Sequence, residues 1–350
     1  MIYASEYPKE LCLYVRENKE LFESLKGQKI AITGAAGLIG SYIIDLIIVA
    51  NEELGTGIEV LAIDRNRELL NSRFPEKYTC VRHYAIDVNE AELPKERVDY
   101  VIHAASNTSP IDYATKPIDT MKTNFIGTDR MINFCMENGA KRFVFCSSVE
   151  AYGVNNGDVD EFCEDYSGYV NCNTVRAGYP SAKRASEALC NAYCSQLGLD
   201  FVTARIGRIY GPTVIEGDTK APTQFINNAV NGEDIVMKSN GMQEFSYGYV
   251  GDCATAMLLI MKKGVCGEAY NIADPNSRVL LRDFAESSAS AGNAKVVFCA
   301  PTETEAKGYS KVTKAVMNTD KLVSLGWSAK YNVKAGVERT VKYLKEIKGV

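Results

Sequence analysis

The chain holds only two histidines, His83 and His103, and its 11 cysteines include no C-x-x-C pair. A zinc site needs Cys and His ligands clustered at short spacings, so no metal is expected and no residue is assigned to one. The odd, scattered cysteines read as reduced and mostly buried thiols, not as a disulfide framework. There is no run of Lys and Arg, and the formal net charge is -5; no nucleic acid is expected as a partner. The longest apolar segment, YIIDLIIVA from Tyr42 to Ala50, is interrupted by Asp45 and too short to span a bilayer. The opening stretch MIYASEYPKELCLYVRENKE has neither the basic start and apolar run nor the cleavage site of a secretory signal. The expectation is a soluble, cytoplasmic protein with no membrane partner.

What is present is length and alternation. A chain of 350 residues can bury a sizeable core, as one large or two interleaved domains. Residues 8 to 25 read as a leading helix with Leu11, Val15, Leu21, Phe22 and Leu25 along one stripe, so residues 1–26 form a helical extension placed ahead of the fold. Then KIAIT, EVLAID, TCVRHYAI, VDYVIHAA, RFVFCSS and FVTARI read as strands, separated by helical patterns from Leu38 to Ala50, Ile118 to Asn138 and Pro180 to Leu197. Short apolar runs alternating with helices of that length predict an α/β fold, a doubly wound parallel sheet covered on both faces, over residues 27–206. Beyond Gly207, Gly and Pro at 211, 212, 217 and 222 mark longer loops and shorter elements. Residues 207–350 are expected to form a smaller, substrate-binding lobe, partly interleaved with the sheet.

Two local patterns carry chemistry. In KIAITGAAGLIG, Gly34, Gly37 and Gly40 stand between a strand and an apolar helix. Small residues there let the backbone turn sharply and offer free amides and a helix N-terminus to a pyrophosphate. Asp64 ends the second strand, where a carboxylate accepts hydrogen bonds from ribose hydroxyls and repels a 2'-phosphate; NAD is favoured over NADP, with the adjacent Arg65 as the counter-argument. Asp87 ends the third strand and reads equally as an adenine-side carboxylate or a turn residue. The second pattern is RAGYPSAKRASE. Of the 20 tyrosines only Tyr179 has a lysine, Lys183, four residues on, a spacing that puts both on one helix face. Without the glycine loop this would read as a solvated helix. With it, a phenol whose ionisation is favoured by a neighbouring ammonium becomes a candidate base.

These residues, with HAAS after the fourth strand, KTNFIGT, SSVEAYG, YGPT and YVGD, resemble the extended short-chain dehydrogenase/reductase family of nucleotide-sugar epimerases, dehydratases and decarboxylases, from about residue 28 to about residue 330. Within the family, SPIDYATKPIDTMKTNFIGT, Glu150 and RAGYPSAKRASE are most similar to its UDP-glucuronate decarboxylase branch. The resemblance implies a Rossmann domain binding NAD through Gly34, Gly37, Leu38, Ile39, Gly40, Asp64, Asp87, Val88, Ala104, Ala105, Ser106 and Asn124, with Lys183 on the nicotinamide ribose. It implies transient oxidation at C4 of a sugar nucleotide, Tyr179 being the base, with Ser148 on the reacting oxygen and Glu150 as a further base or orienting group. Ser147, in an ordinary turn, is the alternative to Ser148, and an edge ion pair is the alternative for Glu150. A 4,6-dehydratase would carry an Asp at Val149, so dehydration loses ground, whereas a 4-epimerase remains open. Phe245, preceded by Glu244, stands where relatives have an arginine that grips the pyrophosphate, and Arg208 stands where they have an asparagine. Either Arg208, with Lys220, Arg278 or Lys307, has taken over that charge, or the substrate is a non-nucleotide sugar acid or polyol. A protein that holds NAD without turnover is the reading from another class. A homodimer through the helices near 118–138 and 179–197 is implied by resemblance.

Overall fold

The computed structural model describes residues 6–108, 110–215, 217–300 and 312–349. Six parallel strands appear in chain order where apolar runs predict them: β1 Lys29–Thr33, β2 Glu59–Asp64, β3 Val81–Ala85, β4 Tyr100–His103, β5 Arg142–Ser148 and β6 Phe201–Ile206. A seventh, Ala269–Ile272, adds to β6 from the far half of the chain, giving the order Ala269–Ile272, β6, β5, β4, β1, β2, β3. The strand AYNI is only four residues long and lies beyond the predicted sheet, so no periodicity announced it. Every pairing is parallel, with Thr33 beside His103 where the order reverses between β1 and β4. Such a reversal leaves a crevice at the strand C-termini.

Alternation along the strands sorts the core into two layers. Ala31, Leu61, Ile63, Val101, Phe143, Phe145 and Phe201 face Met131, Ile132, Phe134 and Cys190 of the helices Pro117–Glu137 and Gly178–Leu197. Ile30, Ile32, Val60, Ile102, Val144 and Val202 face the other way, toward the helices Leu38–Leu54 and Val250–Lys263. Residues 40 to 50 of the first of these helices are buried without interruption, which explains why its apolar character is nearly continuous and not a stripe.

The leading segment corrects the expectation that it stands ahead of the fold. It is two helices, Tyr7–Glu17 and Lys19–Glu23, broken at Asn18, whose side-chain amide and backbone N–H both donate to Tyr14 O. Tyr7, Leu11, Tyr14 and Val15 are part of the main core. Glu10, 3% exposed, accepts hydrogen bonds from Tyr42 (2.8 Å), Tyr249 (2.6 Å) and Tyr343 (2.9 Å), three distant parts of the chain. Tyr14 donates to Asp252 at 2.9 Å, and Asp252 also accepts from the backbone of Lys330 and Tyr331. A polar knot inside an apolar layer stands only if its groups satisfy one another, and here they do.

The C-terminal half forms a small sheet in which Glu244–Tyr249 pairs with Arg208–Tyr210, Arg278–Leu280 and Lys314–Ala315, and a separate pair, Ile235–Met237 with Val296–Phe298. It closes over the C-terminal ends of the main strands.

Candidate active site

A cleft of about 390 Å³ runs along those strand ends and under the small lobe. At its cofactor-side wall the glycine turn is tight. Gly34 has φ +65°, and a Cβ there would lie 2.9 Å from Ala104 O; Gly37 N–H donates to Gly34 O at 2.9 Å. A larger residue at 34 would collide with the loop after β4 and adopt a backbone few L-residues accept. The turn delivers the chain into the helix Leu38–Leu54, whose extended cap is Gly37, without a side chain over the first amides. Leu38, Ile39 and Gly40 line the cleft beside it, as do Ala104, Ala105 and Ser106.

Asp64 lines the same wall and ties it together, accepting from Ala36 N at 3.2 Å and Asn66 N at 3.1 Å. Arg65 donates to Asn107 at 3.3 Å, across the cleft mouth. Asp87 accepts from the backbone and side chain of Asn89, a turn role, and it and Val88 line the cleft. Asn124 differs from expectation. It is 1% exposed, lies one layer behind the cleft, and accepts from Ser106 Oγ at 2.8 Å while its own amide donates to Thr120 O. It holds the loop that lines the cleft and does not itself line it. A groove lined by a glycine turn at a helix N-terminus, the Asp64 carboxylate and alanines fits a dinucleotide.

At the reacting end, the first two turns of the helix Gly178–Leu197 place Tyr179, 5% exposed, and Lys183, 3% exposed, on the cleft floor. Lys183 Nζ donates to Cys146 O at 2.6 Å and lies 5.9 Å from the Tyr179 ring centre. Ser148 lines the cleft with Tyr179, its Oγ accepting from Glu150 N at 3.2 Å and its hydroxyl favouring the ionised phenol, whereas Ser147 turns away and donates to Glu187, which is paired with Arg205. This separates the two serines as their sequence could not.

The electrostatics correct one expectation. Tyr179 is not drawn down by Lys183. Burial, followed by the Glu150 charge, pushes the phenol up to about 12, outweighing the opposite pull of the Ser148 and Tyr113 hydroxyls. Burial also lowers the Lys183 ammonium to about 8. In the cofactor-free protein the phenol is therefore protonated at neutral pH.

Two residues at this end escaped the motifs. Tyr113 stacks on Tyr179 with ring centres 4.5 Å apart and 20° between planes. Arg176 covers the Tyr113 ring at 4.7 Å and donates to Glu150 at 2.7 Å. Glu150 thus has the ion-pair partner that the alternative reading required, and it also lines the cleft. Both residues lay inside quoted runs, SPIDY and RAGYP, but no spacing rule marks a stacked pair formed across 66 residues.

On the substrate side, Arg208 lines the cleft with its guanidinium 3.6 Å from the Phe245 ring centre. The two departures from the family pattern are therefore in contact. Arg208 has no carboxylate partner among the described residues, and its Nε is buried without a hydrogen bond. Lys220 also lines the cleft, donating to Thr108 at 2.9 Å and Asp218 at 3.2 Å. Arg278 does not. It stands on the outer surface between Asp160 and Glu244, two carboxylates that consume its charge, and the proposed substrate role is withdrawn. Lys307 lies outside the described residues. No group of three or more potential metal ligands occurs among the described residues, and none of their helices is long and apolar enough to cross a membrane.

A glycine turn at the head of a doubly wound sheet, joined in one cleft to a Tyr-Lys helix, defines an enzyme that works with a dinucleotide. The sequence profile of the NAD dependent epimerase/dehydratase family matches residues 30–273, and the chain belongs to that family; it is an NAD-dependent enzyme of that class. Among its curated relatives, UDP-glucuronic acid decarboxylase 1 of Danio rerio is 29% identical over 318 residues, covering 90% of this chain and 72% of the relative. UDP-glucuronic acid decarboxylase 6 of Arabidopsis thaliana is 33% identical over 263 residues, covering 74% of this chain and 72% of the relative. Among solved structures, UDP-glucuronic acid 4-epimerase from Bacillus cereus, crystallised with UDP-glucuronic acid and NAD, superposes with TM-score 0.77 at 20% identity, over 91% of this chain and 99% of that one, and shares the fold.

Proposed function

We propose that this enzyme decarboxylates a UDP-glucuronate-type sugar nucleotide by transient oxidation at C4. The observation that carries the reading is the make-up of the reacting end: Tyr179 and Ser148 in one cleft, with Glu150 beside them held by Arg176, and Val149 where dehydration would need an acid. NAD, when bound along the wall from Gly34 to Asp64, supplies the hydride acceptor. The protein supplies the rest. Tyr179 takes the proton of the C4 hydroxyl while Ser148 holds that oxygen in line. Since Tyr179 stands near 12 in the cofactor-free state, its ionisation needs the cationic surroundings of the loaded site, with Lys183 on the same face.

A C4 ketone leaves the C5 carboxylate β to a carbonyl, so carbon dioxide departs while the electron pair of the broken bond passes into the ketone oxygen; C5 then takes a proton, and return of the hydride to C4 would restore the alcohol. That step asks for little acid-base machinery, which suits a lone Glu150. Arg208, without a carboxylate partner among the described residues, supports the reading that the substrate's anionic group is met from this side in place of position 245. The exposed apolar side chains of Ile118, Met121 and Phe125 on the helix Pro117–Glu137 support a homodimer formed through that face.

Purified protein incubated with NAD and UDP-glucuronate should yield a UDP-pentose, read by mass as loss of carbon dioxide. An unchanged mass with an inverted C4 would replace decarboxylation by epimerisation, and no binding of any nucleoside diphosphate would remove the sugar nucleotide.

A further inference from the structure

We propose that Cys194 and Cys266 form a thiol–disulfide site that can staple the end of the catalytic helix to the edge strand of the main sheet. Their sulfurs lie 3.8 Å apart although the residues are 72 positions apart in sequence. Cys194 sits in the last turn of the helix Gly178–Leu197, the helix that begins with Tyr179 and Lys183. Cys266 sits in the turn that leads into Ala269–Ile272, the strand at the end of the seven-stranded sheet.

Both backbones are already anchored. Cys194 O accepts from Gly198 N at 3.0 Å, and the Cys266 turn is held by Gly267 N to Phe201 O at 2.9 Å and Glu268 N to Val265 O at 3.1 Å. The proposed step closes that sulfur contact to a disulfide bond of about 2.05 Å between two held elements. Cys266 is exposed and Cys194 partly so, which leaves an oxidant a way in. The other exposed thiols, Cys163, Cys172 and Cys299, have no thiol neighbour among the described residues, and Cys135, Cys146, Cys190 and Cys253 are buried. The site is thus distinguished by geometry and by access together.

The oxidant is a small disulfide of the glutathione type. One protein thiolate attacks it, releasing one reduced thiol and leaving a mixed disulfide. The second protein thiolate then displaces the other half, so that one S–S bond is broken, one is formed, and two thiols leave with two protons. Burial, followed by the Cys266 neighbour, raises the Cys194 thiol above its ordinary value, so closure is slow near neutrality and faster in alkali. The link closes a loop containing Arg208, Lys220 and Phe245 and restricts the unfolded chain, so the oxidised protein should melt higher. Lys183 lies 11 residues before Cys194 on a helix, about 16 Å along its axis, and turnover should change less than about twofold.

The test is to equilibrate the reduced full chain with glutathione buffers of graded redox ratio, block free thiols, and map peptides by mass. The expected result is a single-chain species under denaturing, non-reducing conditions with two fewer blockable thiols, a Cys194–Cys266 peptide, and a melting temperature of the native protein raised by several degrees. Cys194→Ser and Cys266→Ser should each abolish the link and the rise, while Cys172→Ser keeps both. Stable separate glutathione adducts on the two cysteines, a link between two chains, or oxidation of Cys163 and Cys172 at the same ratio would each overturn the proposal.

Discussion

Replacing Glu10 by alanine tests whether the N-terminal helix is a working part of the fold. Glu10 Oε1 accepts from Tyr42 and Tyr249, and Oε2 from Tyr343, with Arg339 3.4 Å away. All three hydroxyls lie in rings 0–1% exposed, so removing the acceptor strands three buried donors. At about 1–3 kcal/mol for each unsatisfied group, less what relaxation recovers, the loss is roughly 3–6 kcal/mol. For a chain of this size that corresponds to about 4–8 °C in melting temperature, measurable by calorimetry or dye-based melting. Glu10→Gln keeps one carbonyl oxygen but turns an amide toward hydroxyls that need acceptors, so it should fall between. The pH dependence adds a second signature. Burial, against the pull of Tyr249, Tyr42 and Tyr343, raises the Glu10 carboxyl above its ordinary value. A raised folded value means its contribution is full below the unfolded value near 4.5 and declines as pH climbs through the folded one; Glu10→Gln should lose that slope. A Glu10→Ala protein melting within about 2 °C of the parent would refute the reasoning, because the tyrosines would then have found other acceptors at no cost.

Three further outcomes are expected. Tyr113→Phe keeps the ring stacked on Tyr179 but removes its hydroxyl, so stability should hold while kcat falls about 10-fold or more and its pH profile moves, read by steady-state kinetics. Arg208→Gln should raise KM for a sugar nucleotide by about 10- to 100-fold with a smaller change in kcat, as loss of a charge-assisted contact would; Phe245→Leu should do the same more weakly by releasing the guanidinium. His103 is buried and lowered to about 3 by burial and then by the Lys183 charge. Its depressed value means that stability is full above the unfolded value near 6.5 and is lost as pH falls toward 3. Denaturant melts of His103→Gln should show a flatter acid limb than the parent.

Much of the sheet was legible because parallel strands covered on both faces must be apolar throughout, and a run such as VIH or KIAIT flanked by helices has few other uses. The glycine turn and the Tyr179–Lys183 spacing were legible for a similar reason: each is a local geometry that chemistry demands. What escaped was non-local. Glu10 reads as an ordinary acid on an amphipathic helix, and only contact with Tyr249 and Tyr343, 239 and 333 residues away, makes it a core residue. Arg278 looked available because the carboxylates that neutralise it, Asp160 and Glu244, arrive from other strands and loops. The direction of the Tyr179 shift was misjudged because a four-residue spacing reports the ammonium nearby but not the burial that outweighs it.

The most direct measurement follows C4 chemistry in the intact chain: UDP-glucuronate and NAD are supplied, carbon dioxide and product mass are read, and Tyr179→Phe is run beside the parent at equal cofactor occupancy. The parent should release carbon dioxide and the variant should hold cofactor while losing turnover. Equal carbon dioxide release from both proteins would contradict the placement of the base on Tyr179, and none from either would contradict the reaction.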